Sequence, residues 1–178
     1  GAGGVFNPGT DDFTIDGNAA DDTPHLVIAN TAIATLSDDL YVGDHNLGAL
    51  TVESGGVVSN DIGLIGHNIG STGIATITGT GSQWNNSGML HVGREGNGTL
   101  TVEDGGVVSN TTGYIARAGG TTGVATVTGS GSQWNNSKSL TVGRLGTGTL
   151  NVTDGGTVSN TYSYIGIKSG STGEATVT

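Results

Sequence analysis

The sequence repeats itself every 25 residues over most of its 178-residue length. Glycines at this spacing begin the successive copies, at Gly48, Gly73, Gly98, Gly123, Gly148 and Gly173. Two kinds of copy alternate, one beginning GTLTVEDGGVVSN and the other GVATVTGSGSQWNNS, so the larger unit has 50 residues. A fixed period of this length is typical of a stacked repeat fold, in which each copy packs on its two neighbours.

Each copy contains three short segments in which apolar and polar residues alternate, separated by Gly, Ser, Asn and Asp. Alternation with a period of two indicates β-strands, and the intervening residues favour turns. We therefore predict an all-β fold: a parallel β-helix, or solenoid, with three short strands per coil of about 25 residues and about six to seven coils. Parallel crossover connections are almost always right-handed, so we expect a right-handed helix.

The two kinds of coil have complementary core volumes. In the first strand Leu100 of one coil corresponds to Ala125 of the next, and in the second strand Val108 corresponds to Trp134. A large residue stacked on a small one lets neighbouring layers interdigitate at the packing density of a protein interior. The predicted core includes Leu100, Val102, Val108, Ile115, Val127, Trp84, Trp134, Leu140 and Val142.

Two polar rows also follow the repeat. Asparagines recur just after the second strand, and we expect their amides to form hydrogen bonds along the stack, at Asn60, Asn86, Asn110, Asn136 and Asn160. Threonines occupy the outward position of the first strand, at Thr51, Thr76, Thr101, Thr126 and Thr176. Threonine suits an exposed strand, although a flat threonine row leaves ice binding as an alternative.

The two ends of the chain depart from the regular repeat. Residues 1–24 do not match it, contain strand-like pieces at Val5–Phe6 and Phe13–Ile15, and are predicted to be an N-terminal cap or the approach to one. Residues 25–178 form the predicted coils, with a degenerate coil at 25–47 and regular coils over 48–178. The pattern stops inside a coil, so we expect a fragment of a longer array, truncated at its C-terminus.

Composition excludes several classes of function. The net charge of −10 disfavours nucleic acid and anionic membranes as partners. There is no cysteine, so disulfides and thiol chemistry are unavailable. No apolar run approaches the roughly 20 residues that span a bilayer, so we expect no direct membrane insertion by this segment. We also predict no cofactor.

The basic residues are concentrated after the third strand, where four of the five Lys and Arg lie. Aromatic residues occupy outward positions of the same strand. Arg and Tyr are the residue types most enriched at binding hot spots, so this stripe is the predicted ligand-binding surface: His91, Arg94, Tyr114, Arg117, Arg144, Tyr164 and Lys168. The alternative is that these side chains simply cover a strand face and a turn.

The sequence offers no clear catalytic or metal site. Polysaccharide lyases of similar architecture use clustered Asp residues with a basic residue, whereas the acids of this chain are sparse and no facing Arg is evident. His67 and His91 lack a third metal ligand in the sequence pattern. We predict that the protein is not an enzyme, with no catalytic residues and no metal.

The combination of GSQWNNS, LTVGRLGTG and TLTVEDGG at a fixed period, over about residues 48–178, resembles the passenger repeats of autotransporters (type V secretion), also seen in some PEP-CTERM surface proteins. The resemblance implies a bacterial protein exported across the outer membrane and then secreted or displayed on the cell surface. It also implies a C-terminal translocator β-barrel in the full-length protein. Its partners would be a host cell-surface protein or glycan, or another copy of itself.

The leading hypothesis is therefore a rigid, non-enzymatic passenger segment for adhesion to host surfaces or for self-association. One alternative is a released passenger that binds and activates a specific host cell-surface receptor. A second alternative is a polysaccharide-active β-helix enzyme.

Overall fold

The computed structural model describes residues 4–6, 9, 11–18 and 22–178, which form strands and turns. The strands are β1 (Val5–Phe6), β2 (Phe13–Ile15), β3 (His25–Ile28), β4 (Ile33–Thr35), β5 (Leu40–Val42), β6 (Leu47–Val52), β7 (Val57–Asn60), β8 (Gly63–Ile65), β9 (Thr72–Thr78), β10 (Gln83–Asn86), β11 (Met89–Val92), β12 (Asn97–Glu103), β13 (Val107–Ile115), β14 (Thr122–Thr128), β15 (Gln133–Val142), β16 (Thr147–Thr153), β17 (Thr157–Ser159), β18 (Tyr162–Ile165) and β19 (Thr172–Val177). Among these described residues no helix is long and apolar enough to cross a membrane.

The strands stack into three faces of a β-solenoid. The first face is a seven-stranded sheet in the order β3-β6-β9-β12-β14-β16-β19. The second face is formed by β1, β4, β7, β10, β13, β15 and β17, and the third by β2, β5, β8, β11, β13, β15 and β18. Strands β13 and β15 run through the corner between these two faces and join them into one 12-stranded sheet. The predicted parallel β-helix, with three strands per coil of roughly 25 residues and about seven turns, is confirmed.

The 25-residue spacing in the sequence determines which residues of neighbouring coils lie side by side. On the first face the glycines that begin each copy are direct Cα partners, as are Leu100 and Ala125. On the second face Trp84 lies between Val58 and Val108. On the third face Leu90 likewise lies between two glycines. Large and small core residues therefore alternate from coil to coil on all three faces, as the sequence predicts.

The segment before the first coil takes part in the same stack. Strand β1 pairs in parallel with β4, placing Val5 beside Ile33, and β2 pairs with β5, placing Phe13 beside Leu40. The described part of residues 1–24 thus extends the second and third faces by one further coil. Residues 1–3, 7–8, 10 and 19–21 of that predicted cap segment lie outside the described residues.

A single apolar core runs through the inside of the coils. The nine residues that the sequence places in the core are each at most 3% exposed. Trp84 and Trp134 have no exposed surface, and each indole Nε1–H donates a hydrogen bond of 2.7 Å, to Oδ1 of Asn60 and of Asn110 respectively. The tryptophans are core residues whose polar atom has a partner, as burial of an indole requires.

The asparagine row is a buried hydrogen-bonded ladder. Asn60 Nδ2 donates to Oδ1 of Asn86 at 2.9 Å, and Asn110 Nδ2 donates to Oδ1 of Asn136 at 2.7 Å. Between these pairs the ladder continues through the backbone, because Asn86 Nδ2 donates to the carbonyl of Ser109 at 3.3 Å. The asparagine side chains therefore accept hydrogen bonds from the tryptophans and form hydrogen bonds along the row, which is a structural role.

Candidate functional site: the arginine ladder

Three arginines lie one above another at the corner that follows the third face. Backbone hydrogen bonds fix this alignment: Arg94 N–H donates to the carbonyl of Gly66, Arg117 N–H to that of Gly93, and Arg144 N–H to that of Ala116, at 2.9–3.0 Å. Successive coils therefore contribute one arginine each, with their backbones at the strand spacing of about 4.8 Å. We call Arg94, Arg117 and Arg144 the arginine ladder.

One end of the ladder is connected to a carboxylate through a histidine. His67 Nδ1 lies 2.5 Å from Asp44 Oδ1, and Arg94 Nη1 contacts His67 Nε2. The Nδ1 atom of the imidazole thus faces the carboxylate of Asp44, and its Nε2 atom faces the guanidinium of Arg94. His67 therefore lies between Asp44 and Arg94 and positions the first arginine of the ladder.

Among the described residues, the other two arginines form no ion pair with a carboxylate. In the part of the chain that the structure describes, both ion pairs join Asp44 to a histidine, His45 or His67, and none includes a lysine or an arginine. Arg117 and Arg144 are only half-buried. Stacked like charges without a counter-charge are electrostatically unfavourable at this spacing, and a bound anion would relieve the repulsion.

The strand row beneath the ladder is more covered than the sequence pattern predicts. Its outward positions include Leu64, His91 and Thr141, each at most 5% exposed. The ring of His67 packs edge-on against Tyr41 with centroids 4.8 Å apart, which shows that side chains following the strand fold back over it. These contacts agree with the alternative that such side chains cover the strand face. The binding hypothesis is compatible with this, because long side chains can cover apolar surface while their charged ends stay in water.

His91 belongs to this covered row and does not lie on the surface, contrary to its expected place in the exposed stripe. Its ring stacks on that of Tyr114, with centroids 5.1 Å apart and planes 7° from parallel. Its Nδ1 is buried without a hydrogen-bond partner. Burial, together with the charges of Arg117, Arg94 and His67, lowers the pKa of His91 to about 3. His91 is therefore neutral near pH 7, and its ring is part of the buried strand row that precedes the ladder.

The remaining stripe residues lie at the far end of the third face. Tyr164 is 46% exposed, and Lys168 is fully on the surface. The ladder position of this coil is held by Ile167, whose N–H donates to the carbonyl of Gly143, so Lys168 is one residue out of line. The structure brings together the three arginines, His91 and Tyr114, and leaves Tyr164 and Lys168 as separate exposed groups.

Two features of this surface escaped the sequence analysis. One is the connection of Asp44 to Arg94 through His67. These three residues occupy the same position in successive coils, three residues after the middle of the third strand, so aligning the coils would have placed them in one row. The other is an acidic group at the opposite corner, where one carboxylate oxygen each of Asp12, Asp38 and Asp39 lie within 4.8 Å of one another. Burial and the neighbouring carboxylates raise the pKa of Asp39, and raise that of Tyr41 to about 12. Exposed acidic groups of this kind are common without any ligand.

Next to the threonine row of the first face, two residues further along the strands, a second set of outward side chains is engaged in hydrogen bonds. Thr128 Oγ1 donates to Asp154 at 3.1 Å, and Thr153 Oγ1 donates to Thr128 at 2.8 Å. Glu53 and Glu103 alternate with threonines along the same edge. Charged and internally bonded groups interrupt the regular hydroxyl array that the ice-binding alternative needs, so this face offers the weaker site.

Comparison with known proteins gives no match to a family model, to a curated protein sequence or to a solved structure.

Proposed function

We propose that this chain is a segment of a secreted or surface-displayed bacterial passenger protein, a rigid and non-enzymatic solenoid that attaches to other surfaces. The observation that carries the proposal is the arginine ladder: three arginines aligned at one corner of an acidic rod, none of them in an ion pair with a described carboxylate. The motif resemblance to autotransporter passengers supports the export and display. A stiff array of regularly spaced contacts suits attachment, because many weak contacts add up when both partners are held on surfaces.

The test is an attachment assay with the chain displayed on bacteria that lack other adhesins. We expect displayed wild-type protein to increase attachment to epithelial cells or cell–cell clumping, and Arg94→Ser, Arg117→Ser and Arg144→Ser together to remove most of the increase. The matched control replaces Asn85 and Asn135, half-buried residues of the second face, by Ser. Equal attachment of bacteria with and without the displayed chain would refute the proposal. Stimulation of host cells by purified, soluble chain without attachment would favour the released receptor ligand instead.

A further inference from the structure

The charge of the rod is distributed unevenly along its length. Residues 1–66 contain ten of the 15 Asp and Glu and no Lys or Arg, whereas residues 67–178 contain the other five acids and all five basic residues. The half with the arginine ladder is therefore electrically neutral on balance, and its positive charge is concentrated on one corner. A polyanion can lie along this half without facing the acidic half of the rod.

The ladder forms a strip along the corner between the third and first faces. One cavity lies at the end of the rod, between Leu140, Val158, Ile165 and Val177, and another lies at the ladder's corner in the earlier coils, beside Asn46 and Thr72. Beside the ladder, the exposed side chains that begin the next first-face strand are polar: Asn97, Thr122 and Thr147. The strip thus offers a row of cations next to a row of hydrogen-bonding groups, parallel to the rod axis, which suits an extended polymer with both charges and hydroxyls.

We propose that Arg94, Arg117 and Arg144 bind the sulfate or carboxylate groups of a linear anionic polysaccharide lying along the rod, with Asn97, Thr122 and Thr147 contacting its hydroxyls. This inference rests on the proposed function and names the ligand class of the same surface. Guanidiniums are well suited to it, since they bind sulfate-like and carboxylate groups through two parallel hydrogen bonds.

Other polyanions fit the molecule less well. Duplex DNA carries about one charge per 1.7 Å of its axis, and this density meets a rod with ten net negative charges unfavourably. A second copy would bring an equal net charge of −10 against the first. A polysaccharide with one acid group per sugar or per disaccharide has a lower charge density and needs to cover only the neutral half.

The experiment measures binding of the purified chain to three immobilised polymers by biolayer interferometry: chondroitin sulfate, polygalacturonate and the neutral polysaccharide dextran. We expect binding to one or both acidic polymers, none to dextran, and an affinity that falls steeply as salt rises. Replacing the three arginines together by Ser should weaken binding by about tenfold or more, because the ion contacts that supply the affinity are lost. Replacing them together by Lys keeps the charge but removes the paired hydrogen bonds of the guanidiniums, so binding should recover only in part.

Three results would overturn the inference. The first is unchanged affinity of the triple Ser variant with an unchanged circular dichroism spectrum. The second is equal binding to dextran. The third is equal binding to poly-glutamate immobilised and measured in the same way, which would show that carboxylates suffice and that a sugar is not recognised.

The same materials separate this inference from the proposed function. Displayed protein that still attaches after enzymatic removal of acidic polysaccharides from the target surface keeps the proposed function and defeats the inference. Purified protein that binds chondroitin sulfate or polygalacturonate but gives no attachment when displayed keeps the inference and defeats the proposed function.

Discussion

Trp84 and Trp134 show how single polar atoms determine the fit of a side chain in this core. Each indole is completely buried, yet its one polar atom is paired with an asparagine of the coil before it. The asparagine amide then donates to the next asparagine, so burial of the ring and of the ladder depend on each other. A buried donor left without a partner would cost about 1–3 kcal/mol, which explains why Trp and Asn occur together in the repeat.

His91 gives a prediction about pH at the scale of one residue. Its pKa is about 3 in the folded protein and about 6.5 in the unfolded chain, so the unfolded state takes up a proton first as pH falls. The free energy of unfolding should therefore fall by about 2 kcal/mol between pH 7 and pH 5 because of this residue alone. His91→Leu should remove that part of the pH dependence, because Leu64 fills the same position one coil earlier and is buried there.

Urea unfolding of both proteins at pH 7 and pH 5 measures this effect. The remaining histidines and the carboxylates are common to both proteins, so they cancel when the two pH dependences are compared. The same loss of stability in wild type and variant would contradict the buried, neutral state of His91.

At the scale of the strand, the close fit between coils rests on the absence of a side chain at Gly113. A Cβ built there would lie 2.5 Å from Oδ1 of Asn136, 2.8 Å from Cδ1 of Leu140 and 2.9 Å from Cζ2 of Trp134. Gly113→Ala should therefore overpack the core and lower the free energy of unfolding by about 1–3 kcal/mol.

Chemical denaturation of Gly113→Ala and a matched control tests this. The control is Gly119→Ala, since an added Cβ at Gly119 meets no atom within 4 Å and its φ is negative. A loss of stability in the control as large as that in Gly113→Ala would show that the effect is a general one of glycine replacement and would refute the packing explanation.

The strands and their register could be predicted from the sequence because each depends on a local pattern repeated many times. Alternation identifies the inward residues, and a constant spacing aligns Leu100 with Ala125 without any knowledge of the turns. The course of the corners depends on contacts between coils, so the continuous strands β13 and β15 were not foreseen. The same limit applies to the functional surface: Arg117 was identified, but the burial of His91 depends on side chains of adjacent coils folding over it.

At the scale of the whole molecule, the alternation of coil types makes a prediction about deletions. Removing residues 98–147 takes out one coil of each kind and leaves Trp84 beside Val158, the kind of pair already present. Removing only residues 98–122 brings Trp84 against Trp134 and overpacks that layer. Stability in such arrays is close to a sum over neighbouring coils, so an incompatible junction outweighs the length gained.

We therefore expect the variant lacking residues 98–122 to have a lower melting temperature than the variant lacking 98–147, although it is the longer chain. Thermal unfolding followed by circular dichroism, with wild type as the reference, makes the comparison. A melting temperature that simply increases with chain length would show that the two kinds of coil pack interchangeably.

The paired coil also limits how the gene of such a protein can change by recombination. Unequal exchange between repeats preserves every core contact only when it adds or removes 50 residues, or two coils, so the rod changes in steps of about 10 Å. Exchange in such steps alters how far a displayed surface extends from the cell while leaving each junction as it was. The length of the rod can then vary without any change in how its coils pack. Variants that differ by a single coil fold poorly, and selection would remove them.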